Sequence, residues 1–278
     1  MFESIFLGIV QGLTEFLPIS STAHLRIAGE LFPNAQDPGA RFSAIIQIGT
    51  ELAVLLFFWK DIKRIAKAWI KRNIGRKSVS SDEKIEAQLG WLIIIGSIPI
   101  IVLGVAGQSY IESSFRSLWL IAVVLIIFSL VLGFADHYGQ THKSINDLNQ
   151  RHGLLYGLAQ AMALIPGVSR SGATIAMGRY LGYSREAALR YSFLLAVPAV
   201  FGSGLFQLFK ALTDPNSTSV YSLAETFVAT AIAFVIGYLV IKWLLKFVTT
   251  RSFRVFIIYR IALGTLLLIL LGTGVLNP

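Results

Sequence analysis

The sequence predicts an all-α polytopic membrane protein with six transmembrane helices and two re-entrant helical hairpins, arranged as an inverted-topology repeat. The first observation is composition: of 278 residues, 55% are hydrophobic and 14% charged, and the mean hydropathy is +0.68. These values exclude a soluble globular enzyme. The second is a series of six long apolar segments. The third is a pair of shorter apolar stretches that break at their centres and resemble each other.

Six segments approach the roughly 20 residues that a helix needs to cross a bilayer. Three contain no charged residue: 89–107, 117–135 and 191–209. The others are 42–59, 226–245 and 255–276. Glu51 and Arg260 fall inside the first and last of these. An intramembrane charge is costly, so each indicates either a structural ion pair or a functional role, and the sequence leaves both open.

Two further stretches, 4–31 and 153–183, carry a proline, a serine cluster and a charge near their centres. Their apolar halves are too short to span a bilayer separately. Non-helical backbone is tolerated at membrane depth only where protein or a water-filled cavity covers it. We therefore expect two re-entrant hairpins.

The two hairpins share a pattern. The motifs of the first are Gly8-x-x-Gln11 and Pro18-x-x-Ser21, and those of the second are Gly157-x-x-Gln160 and Pro166-x-x-Ser169, with one residue fewer between Gln and Pro. Downstream, Phe42-Ser43 matches Tyr191-Ser192. We expect repeats at 1–136 and 137–278, each with one hairpin and three spans. Because three is odd, the second repeat is inverted, and the hairpin tips meet near the midplane.

The distribution of basic residues predicts the orientation of the protein in the membrane. Nine of the 24 Lys and Arg residues lie in 60–84, and short basic loops face the cytoplasm. Segment 60–88 is therefore expected to be a solvated cytoplasmic loop that touches anionic lipid, with both termini outside. This asymmetry accounts for the net charge of +9 without a nucleic-acid partner.

Polar residues at the first tip indicate chemistry. Gln11 and Glu15 are four apart and share a helix face, and Pro18 ends that helix. Ser21 and His24, three apart, are candidates for a nucleophile and its proton acceptor, although spacing alone does not establish a bond between them.

The second tip adds Arg170 between Ser169 and Ser171. Ser20 and Ser171 are expected mainly to cap the outgoing helices. Helix N-termini and a guanidinium together favour a phosphate, and a carboxylate such as Glu15 beside phosphate oxygens favours Mg²⁺. A simple Glu15–Arg170 ion pair is the structural alternative.

The motifs Gln11-Gly-Leu-Thr-Glu15-Phe-Leu-Pro-Ile-Ser-Ser21-Thr-Ala-His24 and Pro166-Gly-Val-Ser169-Arg170-Ser171-Gly-Ala-Thr174 resemble those of a known family. Tyr191-Ser-Phe-Leu-Leu and Ile258-Tyr259-Arg260 extend the likeness. The family is the integral-membrane undecaprenyl-diphosphate phosphatases, also called bacitracin-resistance proteins. The resemblance implies hydrolysis of a C55 isoprenyl diphosphate to the monophosphate carrier lipid of peptidoglycan synthesis, in the bacterial inner (plasma) membrane.

The resemblance also implies residue roles. Catalytic residues would be Ser21 as nucleophile, His24, Glu15 and Arg170. Phosphate contacts would come from Thr22, Ser169, Ser171, Thr174 and Arg260. A divalent cation, Mg²⁺ or Ca²⁺, would be held by Glu15 and Gln11. The family's first acidic position is Glu or Gln, and Gln11 leaves this motif with a single carboxylate.

Two other functions are alternatives to a phosphatase. A transporter or flippase of a lipid phosphate fits the predicted repeat, because broken helices meeting at the midplane are typical of transporters. An ion channel is disfavoured, since no span carries a series of like charges. A homodimer is compatible with the sequence, which does not otherwise indicate an oligomeric state.

Overall fold

A computed structural model describes residues 1–32, 38–76, 78–108, 117–213 and 220–276. Lys77 of the basic segment and the last two residues of the predicted second repeat lie outside these ranges. The described residues are helical and contain no strand beyond an isolated bridge between Lys143 and Tyr183. The all-α prediction is confirmed.

Eleven α-helices occur in the described ranges. They are α1 (Phe2–Thr14), α2 (Ser21–Gly29), α3 (Gly39–Phe57), α4 (Trp59–Asn73), α5 (Ser81–Ala106), α6 (Leu118–Tyr138), α7 (Gln150–Ala161), α8 (Arg170–Tyr180), α9 (Arg185–Thr213), α10 (Leu223–Thr250) and α11 (Arg254–Gly272). Short 3₁₀ turns lie at Ile145–Asp147 and Met162–Leu164.

Six of these helices, α3, α5, α6, α9, α10 and α11, are long and apolar enough to cross a membrane. They coincide with the six predicted spans, so this part of the prediction is confirmed. Two of them begin several residues earlier than predicted, α5 at Ser81 and α9 at Arg185. Polar first turns explain the difference: Ser80 and Glu83 form a reciprocal capping box at the start of α5.

The basic segment is not simply a solvated loop. Most of it is α4, whose residues Ile65 and Ala68 are buried against α5. The basic side chains occupy the other face, which is the pattern of an amphipathic helix. The dense charge concealed the three-residue spacing of Ile62, Ile65 and Ala68 in the sequence.

Two pairs of short helices, α1 with α2 and α7 with α8, occupy the predicted hairpin segments. Helix α1 packs along α10, and α7 packs along α5. Glycines permit both contacts: a Cβ added at Gly8 would lie 2.6 Å from the carbonyl oxygen of Ala229, and one at Gly157 would lie 2.4 Å from that of Gly96. Small residues of this kind let membrane helices approach closely. Re-entry into a membrane and inverted orientation remain predictions.

Gly157→Ala is expected to destabilise the protein, because its Cβ cannot fit without separating α7 from α5. We expect a fall of several degrees in the thermal midpoint of the detergent-purified protein. Gly202→Ala, in α9, is the matched control, since nothing lies within 4 Å of its added Cβ. Equal midpoints for the two variants would contradict the packing described.

The register of the repeat needs one correction. Gln160 follows Gln11 by 160 − 11 = 149 residues, and Ser192 follows Ser43 by the same number. The sequence comparison paired Ser21 with Ser169 by omitting a residue. In the structure Ser20 and Ser169 instead share their role and backbone conformation, and they too are 149 apart. Ser21 and Arg170 therefore occupy equivalent first positions of α2 and α8.

A buried ion-pair network fixes α8 against its neighbours. Arg179, only 1% exposed, contacts Asp136 at 3.2 Å and also donates to carbonyl oxygens, including those of Gly139 and Tyr183. Asp136 also accepts from Arg185 and from the backbone N–H of Phe253. These bonds join α6, α8, α9 and the start of α11, and so hold the helix that carries Arg170.

Candidate active site

The N-termini of α2 and α8 meet at the centre of the molecule. Arg260 of α11, fully buried, donates to the carbonyl oxygen of Pro18 before α2 at 3.0 Å and to that of Gly167 before α8 at 2.8 Å. Ser171 at the start of α8 donates to the carbonyl oxygen of Leu17 at 3.1 Å. The two loops that break the helices are thus tied to each other.

Each outgoing helix begins with a serine cap in an unusual conformation. Ser20 and Ser169 have φ of 72° and 69°, a region that non-glycine residues rarely adopt and that is often found at functional sites. Their hydroxyls accept from the N–H groups of Ala23 and Gly172. The expectation that Ser20 is a cap is confirmed, whereas Ser171 is not the cap of α8, because Ser169 takes that position.

Glu15 lies at the centre of the site and is 7% exposed. Its Oε2 accepts from the Ser21 hydroxyl at 2.6 Å and from Nε2 of Gln11 at 2.8 Å. Its Oε1 accepts from Nη2 of Arg170 at 2.6 Å. One carboxylate therefore joins the candidate nucleophile of one tip to the guanidinium of the other.

His24 is placed differently from the sequence expectation. Its Nδ1 lies 2.7 Å from the carbonyl oxygen of Ser20, and its Nε2 lies 2.7 Å from the hydroxyl of Tyr259, whose ring stacks on the imidazole. A carbonyl only accepts, so Nδ1 carries the proton. The hydroxyl of Ser21 points to Glu15 instead, and Glu15 takes the position of proton acceptor that the spacing suggested for His24.

The residues expected to contact phosphate fall into two groups. Thr22, Ser169 and Ser171 lie within the first turns or caps of the two helices, beside Ser21 and Arg170. Thr174 and Arg260 lie behind them. The hydroxyl of Thr174 donates to the carbonyl oxygen of Arg170 at 2.8 Å and also contacts Ser192 of α9, and Arg260 binds loop carbonyls. Their observed contacts hold the two loops in place, and phosphate contact by either remains a prediction.

The oxygen atoms around Glu15 suit a hard divalent cation. Oε1 of Gln11 is buried and has no hydrogen-bond donor, because the amide turns its Nε2 towards Glu15. Amide and carboxylate oxygens are the ligands that Mg²⁺ and Ca²⁺ take in proteins. Among the described residues no group of three or more His, Asp or Glu could hold a metal by itself. Such a site would therefore depend on substrate oxygens as additional ligands.

Glu51 of α3 belongs to the same site, a location that the sequence left undecided. It is fully buried, and its Oε2 lies 3.7 Å from Nη2 of Arg170. Tyr259 was also absent from the predicted site. Its contact with His24 joins residues 235 positions apart, and only its place beside Arg260 in the sequence signalled it.

Comparison with known proteins shows to which family the chain is similar. The family model for the bacitracin resistance protein BacA matches residues 4–266. An undecaprenyl-diphosphatase of Pseudarthrobacter chlorophenolicus is 58% identical over 276 residues, which cover 99% of each chain. One of Micrococcus luteus is 57% identical over 99% of this chain and 98% of its own.

A third relative, undecaprenyl-diphosphatase 2 of Agrobacterium fabrum, is 56% identical over 99% of this chain and 97% of its own. These similarities extend over both helix pairs and all six long helices. The chain therefore belongs to the bacitracin resistance protein BacA family.

Proposed function

We infer that the chain is an undecaprenyl-diphosphatase, an integral membrane enzyme that hydrolyses undecaprenyl diphosphate to undecaprenyl phosphate and inorganic phosphate. Family membership and relatives of that name at 53–58% identity support this function. The observation that carries the chemistry is the contact of Glu15 with both Ser21 and Arg170, where two helix N-termini meet.

Substrate binding follows from the helix N-termini. The serine caps take the third N–H group of each helix, and the first two have no acceptor within their own helix. These groups and the helix dipoles favour the negative diphosphate. Arg170 lies at the first position of α8, so its guanidinium can leave Glu15 for the terminal phosphate oxygens, while the isoprenyl tail stays among the apolar helices.

In the proposed first step, the hydroxyl oxygen of Ser21 attacks the terminal phosphorus. A bond forms between Ser21 Oγ and phosphorus, the bridging P–O bond breaks, and undecaprenyl phosphate leaves with the bridging oxygen. Glu15 Oε2, 2.6 Å from the hydroxyl, accepts its proton. Arg170 and the helix N–H groups stabilise the charge on the equatorial oxygens.

In the proposed second step, the oxygen of a water molecule attacks phosphorus, the bond between phosphorus and Ser21 Oγ breaks, and inorganic phosphate leaves. Glu15 returns its proton to Ser21 Oγ, which restores both residues. His24 is proposed to take the proton of this water. Its Nε2 accepts in the neutral tautomer that the Ser20 carbonyl selects. That nitrogen now faces the hydroxyl of Tyr259, a residue that is 43% exposed, and the attacking water is proposed to take the place of this hydroxyl.

A bound divalent cation would neutralise phosphate charge and orient the diphosphate for in-line attack. Glu15 and Gln11 are the residues of the predicted metal pair that would hold it. Oε1 of Glu15, now bound to Arg170, and the unpartnered Oε1 of Gln11 are the available atoms.

The test of the function is phosphate release from undecaprenyl diphosphate by the detergent-purified protein, with and without a chelator of divalent cations. We expect release that the chelator abolishes and that added Mg²⁺ or Ca²⁺ restores. A folded protein that binds the lipid and releases no phosphate under any of these conditions would contradict the proposal.

We also propose that the protein lies in the bacterial inner membrane with its basic α4 segment in the cytoplasm and both termini outside. The chain has no cysteine, so a single Arg76→Cys substitution, at an exposed position, reports the side of this segment. A membrane-impermeant thiol reagent should label it only after cells are opened. Labelling in intact cells would show that the segment lies outside and that the proposed topology is wrong.

A further inference from the structure

Glu51 is a buried carboxylate that the mechanism above does not use. It lies in the membrane helix α3 and is fully buried, and neither of its oxygens has a hydrogen-bond donor among the described residues. Its nearest cation is Nη2 of Arg170 at 3.7 Å, and that nitrogen already donates to Glu15 at 2.6 Å. A buried carboxylate without a close partner is costly.

The arrangement of charges does not fit a purely structural ion pair between Glu51 and Arg170. With both carboxylates ionised, Glu15 and Glu51 bring two negative charges to one guanidinium. Arg170 has a second nitrogen, Nη1, that is buried without a partner, so the guanidinium is not oriented to bridge the two carboxylates evenly. A structural pair would be expected to use that donor. Two carboxylates around a single guanidinium instead indicate a site for a further cation.

The positions of the carboxylate and amide oxygens of the site also favour a cation. Glu15 Oε1 and Glu51 Oε2 lie 2.6 Å and 3.7 Å from the same nitrogen of Arg170, so the two oxygens are at most 2.6 + 3.7 = 6.3 Å apart. Oε1 of Gln11, which bonds Glu15 through its other amide atom, is also without a donor. Two carboxylates and an amide oxygen thus lie in one buried region, next to a guanidinium that can leave for phosphate.

We propose that Glu51 is the second acidic ligand of the divalent cation, supplying from α3 the carboxylate that Gln11 lacks on α1. The proposal rests on the proposed function, because it assigns a ligand to the cation of that reaction. Val54, one turn further along α3, lines the small cavity between Glu15 and Arg170, so this face of α3 is directed at the site. Arg170 occupies the position between the carboxylates until phosphate draws it away.

The experiment measures Mn²⁺ binding to the detergent-purified protein in saturating inorganic phosphate, which would draw Arg170 from the carboxylates and supply oxygen ligands. Electron paramagnetic resonance reports the free ion, and a titration of Mn²⁺ into the same phosphate buffer without protein gives the baseline. Glu51→Gln is expected to weaken Mn²⁺ binding at least tenfold, and Glu15→Gln to do the same. The matched control is Glu186→Gln, whose carboxylate is half exposed and pairs with Arg190 at the surface. It should bind Mn²⁺ like the wild type.

A relocated carboxylate separates ligation from a structural role. The double variant Gln11→Glu/Glu51→Gln keeps two carboxylates, and we expect it to recover Mn²⁺ affinity to within a fewfold of the wild type. Unchanged Mn²⁺ binding in Glu51→Gln would overturn the proposal. So would lost binding that the folded double variant does not recover. If the wild type releases no phosphate from the lipid, the proposed function fails, whereas an active wild type with unchanged Mn²⁺ binding in Glu51→Gln rejects this inference alone.

Discussion

Ser21→Ala should lower kcat/KM for phosphate release by about a thousandfold or more, because it removes the attacking oxygen itself. The hydroxyl of Ser21, at the first position of α2, donates to Glu15 at 2.6 Å, so the variant also leaves this proton acceptor without its donor. The rate should be measured on farnesyl and undecaprenyl diphosphates with the purified variant. Substrate binding should change far less than the rate.

The matched control is Ser97→Ala. Ser97 is also a buried serine, but its hydroxyl donates only to the carbonyl oxygen of Ile93 in its own helix, α5. Its loss should leave the rate within a fewfold of the wild type. If Ser21→Ala keeps near wild-type phosphate release, Ser21 is not the nucleophile, and a protein that only transports the lipid would tolerate the change.

Arg170→Lys should lower kcat about a hundredfold while the protein remains folded. Lysine keeps the positive charge beside Glu15 and Glu51 but loses the planar fork that can bind two phosphate oxygens together. Stabilisation of transition-state charge by a donor in a buried site is worth about 2.7–4 kcal/mol, which corresponds to a hundredfold or more in rate. The effect should appear in kcat more than in KM, because the fork matters most as charge develops.

Arg185→Lys is the control for loss of a guanidinium fork. Arg185 binds both carboxylate oxygens of Asp136, at 2.7 Å and 3.2 Å, away from the site. The variant should lose little activity, because lysine keeps the charge beside Asp136 and Arg179 still joins Asp136 to α8. Equal losses in the two variants would mean that Arg170 acts through stability alone, and an unaffected Arg170→Lys would remove Arg170 from the reaction.

The long helices and several residues of the candidate site could be predicted from the sequence. Uncharged runs such as 117–135 identify membrane helices because the bilayer tolerates little else. Glu15 and Arg170 stood out because charges inside apolar segments are costly unless they are used or paired. The uncharged runs and the charges within apolar segments are both local patterns, which can be recognised in a single sequence.

Contacts between residues that are distant in sequence could not be predicted. The spacing of Ser21 and His24 allowed a contact, but the positive φ of Ser20 turns the hydroxyl of Ser21 towards Glu15, while His24 folds back onto the Ser20 carbonyl and Tyr259. Nothing in the sequence specifies the positive φ of Ser20 or the directions of these two side chains. The register of the repeat was missed for a related reason, since matching the prolines hid the shared backbone of Ser20 and Ser169.

The proposed mechanism requires that Ser21 is phosphorylated during turnover. The direct measurement is peptide mass spectrometry of the wild-type protein quenched during hydrolysis of farnesyl diphosphate, in parallel acid and alkaline quenches that preserve phosphoserine and phosphohistidine respectively. We expect a phosphoryl group on Ser21 that appears with substrate and disappears when substrate is exhausted. A phosphoryl group on His24, or phosphate and lipid monophosphate released together with no labelled residue in either quench, would contradict it.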